Sequence, residues 1–290
     1  ALRAQDGKVA WRWQTPAGPV DNAPAIADVN GDRQPEIFVG ASANGPYVCL
    51  NGQGKVLWEY RPRQGAPEIF DSSGAIADLD GDKRMELVVG SAYFSLGDPS
   101  RTLYGYLHVL NASDGKVKFR KEFVGAIQSS PVLIDLNGDR VLDILVATYQ
   151  GDRKLHARSG RDGAPLWSFE FKGAKDLHKL GAYHGPAVGD LEGDGIPEIV
   201  ATSYDGNIYV LNRRGELKWQ FTCQESIFHA PTLADLNGDK KREILTVDES
   251  GNLYALNHAG KQLWRHKEPV SAFGAGGGIV VADVSGDADL

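Results

Sequence analysis

The chain has 290 residues, of which 42% are hydrophobic, and a formal net charge of -7 at pH 7. This length can bury a large core in one domain, and no run of about 18 apolar residues exists that could span a membrane as a helix. Lysine and arginine residues are scattered without a basic stripe, which excludes a typical nucleic-acid-binding surface. We therefore expect no membrane span and no nucleic-acid partner, and the oligomeric state stays open.

The first predicted element is a hairpin near the N-terminus, in which a turn glycine is followed by an aromatic residue, Asp6-Gly-Lys-Val-Ala-Trp11. The glycine turn closes a β-hairpin, and the ring marks a strand that needs a large apolar contact. A run with strand character, such as Tyr47-Val-Cys-Leu50, precedes these turns, so each signature predicts two strands. The same signature recurs along the chain at residues 52–58, 114–119, 162–167, 214–219 and 259–264.

Between these hairpins lies a nine-residue loop with oxygen-bearing side chains at positions 1, 3, 5 and 9, and its clearest copy runs from Asp135 to Asp143. Ca²⁺ takes six to eight oxygens at roughly 2.3–2.6 Å, and position 7 can add a backbone carbonyl. Gly138 at position 4 and the last acid at position 9 distinguish this loop from an EF-hand. Because β-branched runs flank it, the loop is predicted to join two strands and to bind Ca²⁺.

Five copies of this loop are complete and a sixth begins near the end of the chain. Their first acids, at positions 28, 78, 135, 190, 235 and 283, are 50, 57, 55, 45 and 48 residues apart by subtraction, which is the period of a propeller blade. A saturated oxygen cage leaves no open coordination position, so we expect about five structural Ca²⁺ ions and no catalytic metal. The predicted metal ligands are Asp28, Asn30, Asp32 and Glu36; Asp78, Asp80, Asp82 and Glu86; Asp135, Asn137, Asp139 and Asp143; Asp190, Glu192, Asp194 and Glu198; Asp235, Asn237, Asp239 and Glu243; and Asp283, Ser285 and Asp287.

Each repeat thus has four strands, which we name A before the loop, B after it, then C and D. No helical periodicity occurs, so the fold class is all-β, a β-propeller of four-stranded antiparallel blades with about six blades visible. We expect one domain over residues 1–290, and a fragment of a six- to eight-bladed parent is an open alternative. In the fourth repeat strands A to D are predicted at 186–190, 198–202, 207–211 and 217–221. The blades are predicted near 22–61, 72–123, 129–172, 184–222 and 229–267, with an incomplete blade from 1–14 and 275–290 whose A strand is 278–283.

With these loops the chain resembles the FG-GAP or VCBS repeat family, the calcium-loop propellers that include the integrin alpha-subunit head. The resemblance covers essentially the whole chain and implies that the loop residues named above are the metal ligands. Glu192 is a departure, because it places a longer acid at position 3. A weaker likeness to quinoprotein-like propellers lies in the glycine-to-tryptophan ends of the repeats.

The cellular location follows from the metal loops. Extracellular calcium modules bind at about 10⁻⁴ to 10⁻³ M, so five loops favour a secreted, periplasmic or cell-surface protein. The two cysteines, Cys49 and Cys223, lie in different repeats and are expected to be buried and unpaired.

The face opposite the loops gathers the connections from D to A and from B to C. Tyrosine rings stack on sugars and carboxylates accept hydroxyl donors, so this face predicts a carbohydrate or protein ligand. Two longer connections there, residues 91–106 and 173–183, strengthen this expectation. The alternative for any one of these residues is a purely structural role in the loops. The candidate ligand-binding residues are Asp71, Tyr93, Tyr149, His184, Tyr204, Asp205 and His229, and Asp21, Asn22, Gln128, Tyr183 and Phe228 also precede A strands.

An enzymatic alternative is a polysaccharide lyase, in which His184 and His229 would act as base and Lys175 and Lys179 would face an acidic sugar. A quinone-dependent dehydrogenase is a third and weaker interpretation. No motif assigns a catalytic residue, so binding is the expected function.

Overall fold

In the computed structural model, residues 1–42, 45–62, 68–93, 104–173, 180–267 and 278–283 are described. Within these residues the chain forms strands and no α-helix, so nothing there is long and apolar enough to cross a membrane as a helix. Four residues that the sequence predicts to bind a ligand or metal lie outside the described residues, namely Lys175, Lys179, Ser285 and Asp287. The chain is an all-β propeller, as predicted.

Five antiparallel sheets follow one another along the chain, and each is one blade. Blade 1 comprises β1 (Ala25–Ala27), β2 (Glu36–Gly40), β3 (Tyr47–Leu50) and β4 (Val56–Tyr60). Blade 2 comprises β5 (Glu68–Ile69), β6 (Ala75–Ala77), β7 (Glu86–Tyr93), β8 (Tyr104–Asn111) and β9 (Val117–Val124). Blade 3 comprises β10 (Val132–Ile134), β11 (Asp143–Ala147), β12 (Lys154–Arg158) and β13 (Pro165–Glu170).

Blade 4 comprises β14 (Ala187–Gly189), β15 (Glu198–Thr202), β16 (Asn207–Leu211) and β17 (Leu217–Thr222). Its strands match the predicted ones closely. Blade 5 comprises β18 (Thr232–Ala234), β19 (Glu243–Val247), β20 (Asn252–Leu256) and β21 (Gln262–Lys267).

The hydrophobic core lies between blades because strand residues alternate between the two faces of each sheet. In β11, Leu145 packs toward blade 4, whereas Ile144 and Val146 pack toward blade 2. Cys49 and Cys223 are buried in such inter-blade cores and are free thiols, as predicted.

The D-strand aromatic residues join each blade to the next. Trp58 donates its indole N–H to the carbonyl of Ala112 at 3.0 Å, and its ring covers the turn glycine Gly115 of the following blade. Trp11, Trp167 and Trp219 make the equivalent hydrogen bonds. The predicted need for a large apolar contact at these positions is therefore confirmed, and the hydrogen bond is an additional link.

The two ends of the described chain differ. The N-terminal hairpin forms, with an antiparallel bridge from Leu2 to Val9, and its Trp11 packs against blade 1. The A strand predicted at 278–283 is wrong, because these residues form no strand pairing in the described chain. Instead, the carbonyl of Ile279 accepts a hydrogen bond from Thr232 of the blade 5 A strand at 2.7 Å.

Blade 2 departs from the four-strand prediction. The described ends of the connection expected at 91–106 are strand, because β7 and β8 extend until Tyr93 pairs with Tyr104. Tyrosine favours strands, and the cross-strand pair stabilises the longer hairpin. The short strand β5 pairs with the end of β7 and makes a fifth strand. Residues 94–103 lie outside the described residues.

Candidate functional site

The five acidic loops share one backbone geometry. In the third loop, Asp135 accepts the N–H of Gly138 at 2.6 Å through one oxygen and the N–H of Arg140 at 3.0 Å through the other. Both donors have positive φ, 82° for Gly138 and 67° for Arg140. Burial acts to raise the pKa of Asp135, but these backbone hydrogen bonds outweigh it and hold the pKa below its usual range.

The acid at position 9 ties each loop to its B strand. One of its oxygens accepts the N–H of position 2, as Glu36 does from Val29 at 3.0 Å and Asp143 does from Leu136 at 3.1 Å. The second oxygen has a different partner in different loops. Asn30 donates its amide to this oxygen of Glu36 at 2.9 Å, and Asn237 donates to that of Glu243 at 3.3 Å.

The third loop provides the strongest test of whether a cation fits. Asp143 is completely buried, and its Oδ1 has no hydrogen-bond partner. Burial, followed by the charges of Asp139 and Asp135, raises the pKa of Asp143 to about 6. An unpartnered buried carboxylate oxygen is costly, and the carboxylate and amide oxygens that this loop contains are the ligands that Ca²⁺ prefers. The chemistry of the donor set therefore fits the ion.

Lysine residues enter two of the loops, a feature that the sequence analysis missed. Lys118, on β9, contacts Asp80 at 2.8 Å and Glu86 at 3.0 Å. In blade 4, Lys218 contacts Glu192 at 2.5 Å and Glu198 at 2.8 Å. Both lysines immediately precede the D-strand aromatic residue, and this was the available signal in the sequence.

On the opposite face, the connections from D to A strands surround a cavity of about 230 Å³. Its polar and aromatic lining includes Asp21, Asn22, Asp71, Gln128, Tyr183 and His184. These residues come from three blades and from the segment before blade 1, so the fold brings them together although they are far apart in the chain. Asp71 accepts Ser42 Oγ at 2.5 Å and Gln128 Nε2 at 3.0 Å, which fixes its carboxylate at the cavity wall.

An aromatic cluster continues the cavity wall. Tyr149 contacts Tyr183 and Tyr204 at ring-centroid distances of 5.5 Å. His184 stacks on His229 at 5.4 Å, with an angle of 29° between the rings. Burial, and then the proximity of His229, lowers the pKa of His184 to about 4, so its imidazole is neutral at pH 7.

The candidate ligand residues fall into distinct environments. Asp71 and His184 line the cavity, and Tyr149 touches Tyr183 of its wall. His229 is only 9% exposed and lies behind His184. Tyr93 is not among the lining residues and lies at the end of β7.

Two further candidates have structural roles in blade 4. Tyr204 is 7% exposed, so its ring belongs to the packing beneath the cavity. Asp205 accepts Tyr209 Oη at 2.5 Å and the N–H of Asn207 at 2.9 Å, which closes the turn between B and C. The sequence pattern could not distinguish a turn residue from a residue on the exposed face.

Blade 2 contains a buried polar network that the sequence analysis did not single out. His108 Nε2 contacts Ser91 Oγ at 2.9 Å and Glu68 Oε2 at 3.3 Å, while its Nδ1 contacts Tyr60 Oη at 2.9 Å. Burial lowers the pKa of His108. Because Ser91 is completely buried and shares Nε2 with the carboxylate, this network holds β5 on β7 rather than presenting a nucleophile.

Comparisons with known proteins agree with this architecture. A model of the FG-GAP-like repeat matches residues 28–89 and 135–201, and a model of the lambda-carrageenase beta-propeller domain matches residues 182–234. Lambda-carrageenases of Pseudoalteromonas sp and of Pseudoalteromonas carrageenovora are 34% identical over 82 residues, which is 28% of this chain. The matched region spans only 8% of the length of these curated relatives.

Among solved structures, the V. cholerae biofilm matrix protein Bap1 superposes with a TM-score of 0.61 and 24% identity, over 90% of this chain and 42% of that one. Quinohemoprotein alcohol dehydrogenase from Comamonas testosteroni superposes with a TM-score of 0.59 and 14% identity, over 91% of this chain and 46% of that one. At these identities both similarities show the fold alone. The repeat matches confirm the resemblance that the loops predicted.

Proposed function

We propose that this β-propeller, whose residues 28–89 and 135–201 match the FG-GAP-like repeat, is a calcium-stabilised, exported module that binds a carbohydrate on the face opposite its metal loops. Ca²⁺ bound in these loops would stabilise the connection between strand A and strand B of a blade. The ligand face lies at the other end of these strands, so the metal and the carbohydrate do not share residues.

The observation that carries this proposal is the cavity between the D-to-A connections. A carboxylate, an amide and an aromatic ring converge there from different blades, in Asp71, Gln128 and Tyr183. Sugar sites combine these groups, because the ring packs on the apolar face of the pyranose and the polar groups bind its hydroxyls.

The comparison with known families supports glycan binding at the same face. The segment 182–234, which matches the lambda-carrageenase beta-propeller domain, contains Tyr183, His184 and His229. The relatives are named for action on a polysaccharide, and a propeller that presents aromatic and histidine residues is consistent with a glycan ligand here.

The charge of the cavity refines the ligand class. Asp21 and Asp71 are its charged lining residues within the described part of the chain, and neutral His184 does not offset them. Carboxylates favour hydroxyl donors and disfavour sulfate or uronate groups. An uncharged polysaccharide is therefore the expected ligand class.

Affinity electrophoresis through gels containing a neutral galactan or lambda-carrageenan tests this proposal. We expect the neutral galactan to retard the protein and Asp71→Asn to weaken binding by about tenfold, since a hydrogen bond to a charged group contributes about 1.5–3 kcal/mol. Glu59→Gln is the matched control, because Glu59 lies on the outer strand of blade 1, is exposed, and pairs with Arg61. Unretarded wild type, or equal effects of the two variants, would contradict the proposal.

A second candidate is a polysaccharide-cleaving enzyme, and the observation that favours it is the neutral imidazole of His184 beside His229. A neutral imidazole at the cavity can accept a proton, as a lyase or hydrolase base must. Release of reducing or unsaturated ends from lambda-carrageenan, abolished in His184→Gln, would establish it. Retention in the gel without any product favours the binding function.

A further inference from the structure

We propose that the acidic loops are of two kinds that alternate along the blades, metal-dependent loops and loops in which a lysine of the same blade replaces the metal. This inference rests on the calcium role proposed above. The metal-dependent loops are 28–36, 135–143 and 235–243, and the lysine-clamped loops are 78–86 and 190–198.

The sequence already separates the two kinds. Position 3 is an acid only in loops 2 and 4, Asp80 and Glu192, and it is asparagine in the other three complete loops. In the same two blades the residue before the D-strand aromatic is a lysine, Lys118 or Lys218. The other three blades have a leucine there, namely Leu57, Leu166 and Leu263. An extra carboxylate and a lysine thus occur together.

The contacts explain why they occur together. The Lys118 ammonium lies 2.8 Å from Asp80 Oδ2 and 3.0 Å from Glu86 Oε1, the oxygen that faces the loop. Lys218 bridges the equivalent pair in blade 4. C–D turns and A–B loops lie at the same end of each blade, so a lysine at the start of strand D can reach the loop.

The lysine offsets only the extra carboxylate at position 3. Counting the side chains at the ligand positions alone, loop 2 has four carboxylates and the Lys118 ammonium and loop 1 has three carboxylates, so both sets carry a charge of -3. What differs is the availability of the ligand atoms. One oxygen each of Asp78, Asp80 and Glu86 lie within 4.8 Å of one another, and the ammonium already contacts two of these residues. A Ca²⁺ ion would have to expel the ammonium and then be repelled by it.

The third loop shows the opposite condition. Asp143 Oδ1 is buried and unpartnered, and Leu166 stands where a clamped blade has its lysine. Within the described residues no lysine or arginine pairs with Asp143, so a cation from solution would supply the missing counter-charge. In loops 1 and 5 the corresponding oxygen accepts only a neutral asparagine amide.

The clamped loops also support their neighbours. The carbonyl of Leu79 in loop 2 accepts the N–H of Leu142 in loop 3 at 2.9 Å. The carbonyl of Leu191 in loop 4 accepts the N–H of Arg242 in loop 5 at 3.2 Å. A metal-independent loop therefore braces each of these metal-dependent loops, which would keep part of the ring ordered when calcium is scarce.

Native mass spectrometry of the whole chain titrated with Ca²⁺ tests the inference. We expect Lys118→Met and Lys218→Met each to add one tightly bound Ca²⁺ to the wild-type number, and the double variant to add two. Lys118→Arg should keep the wild-type number, because it retains the cation. Leu166→Met, at the same place in a metal-dependent blade, should also leave it unchanged, and a thermal melt checks that each variant is folded.

The possible failures are distinct. Unchanged stoichiometry in the two Lys→Met variants, with Ca²⁺ bound by the wild type, overturns the lysine clamp and leaves the calcium role intact. No bound Ca²⁺ in the wild type overturns the calcium role and the clamp together. Binding of the neutral galactan depends on the other face and is measured separately.

Discussion

The contact between the tryptophan of one blade and the turn glycine of the next can be tested with a pair of alanine substitutions. Gly215 has φ of 77°, and an added Cβ would lie 2.5 Å from Cε3 of Trp167. Carbon atoms pack at about 3.5–4.0 Å, so Gly215→Ala overlaps the ring by about 1 Å. The left-handed backbone costs about 1–2 kcal/mol, and overpacking costs about 1–3 kcal/mol more.

We expect Gly215→Ala to lower the free energy of unfolding by about 3 kcal/mol, which corresponds to a fall in Tm of about 6–12 °C for a chain of this size. Gly7→Ala is the matched control. Gly7 occupies the same turn in the N-terminal hairpin with φ of 67°, and nothing lies within 4 Å of its added Cβ. The control should show only the backbone cost, about 1–2 kcal/mol.

The assay is a thermal melt of both variants, supported by tryptophan fluorescence, since Trp167 reports on the contact. Equal losses of stability in the two variants would refute the reasoning, because they would show that the ring adds nothing to the backbone strain.

Three further outcomes are expected. Trp167→Phe should lower the free energy of unfolding, measured in denaturant, by about 1 kcal/mol, because it removes the indole hydrogen bond of 3.0 Å to the carbonyl of Arg213 and keeps most of the ring. An unchanged free energy of unfolding would contradict the link between blades. The pKa of His184 falls from 6.5 in the unfolded chain to about 4 in the folded one, so the unfolded state binds the proton first and stability falls as pH drops through this window. Between pH 7 and pH 5 the free energy of unfolding of wild type should fall by about 2 kcal/mol more than that of His184→Gln, in which a charge cannot form. Equal falls would show that His184 is not held neutral by the fold. Chelation should lower the Tm of wild type, since the loop carboxylates lose their counter-ion, and Asp139→Ala should reproduce part of this fall before chelator is added; a Tm unaffected by chelator would contradict the staple role.

The repeat pattern was sufficient to predict the fold because its signals are local. Two local signals set the ends of the strands: a nine-residue loop with acids at fixed positions, and a glycine turn before an aromatic residue. For this reason β15 and β16 lie where the spacing predicts them. The long hairpin of blade 2 was missed because the run that pairs Tyr93 with Tyr104 looked like a loop insertion.

The candidate site was harder to predict, because it depends on contacts between distant residues. Asp71 and Gln128 form a hydrogen bond although they are 57 positions apart in the sequence, and only the fold topology brings them together. Lys118 contacts Asp80 although the two residues are 38 positions apart in the sequence. The spacing of the loop acids predicts the metal ligands but does not reveal that a distant lysine contacts them. Asp205 is a predicted ligand residue, and its hydrogen bond from Tyr209 is a turn contact that the sequence pattern did not predict.

Hydrogen–deuterium exchange with and without the neutral galactan shows which face of the propeller the ligand covers. If the carbohydrate binds at the cavity, we expect slower exchange in segments 69–73, 126–130 and 181–185, which surround it, and unchanged exchange in loops 78–86 and 135–143. Protection confined to those acidic loops would place the ligand on the metal face and rule out binding at the cavity.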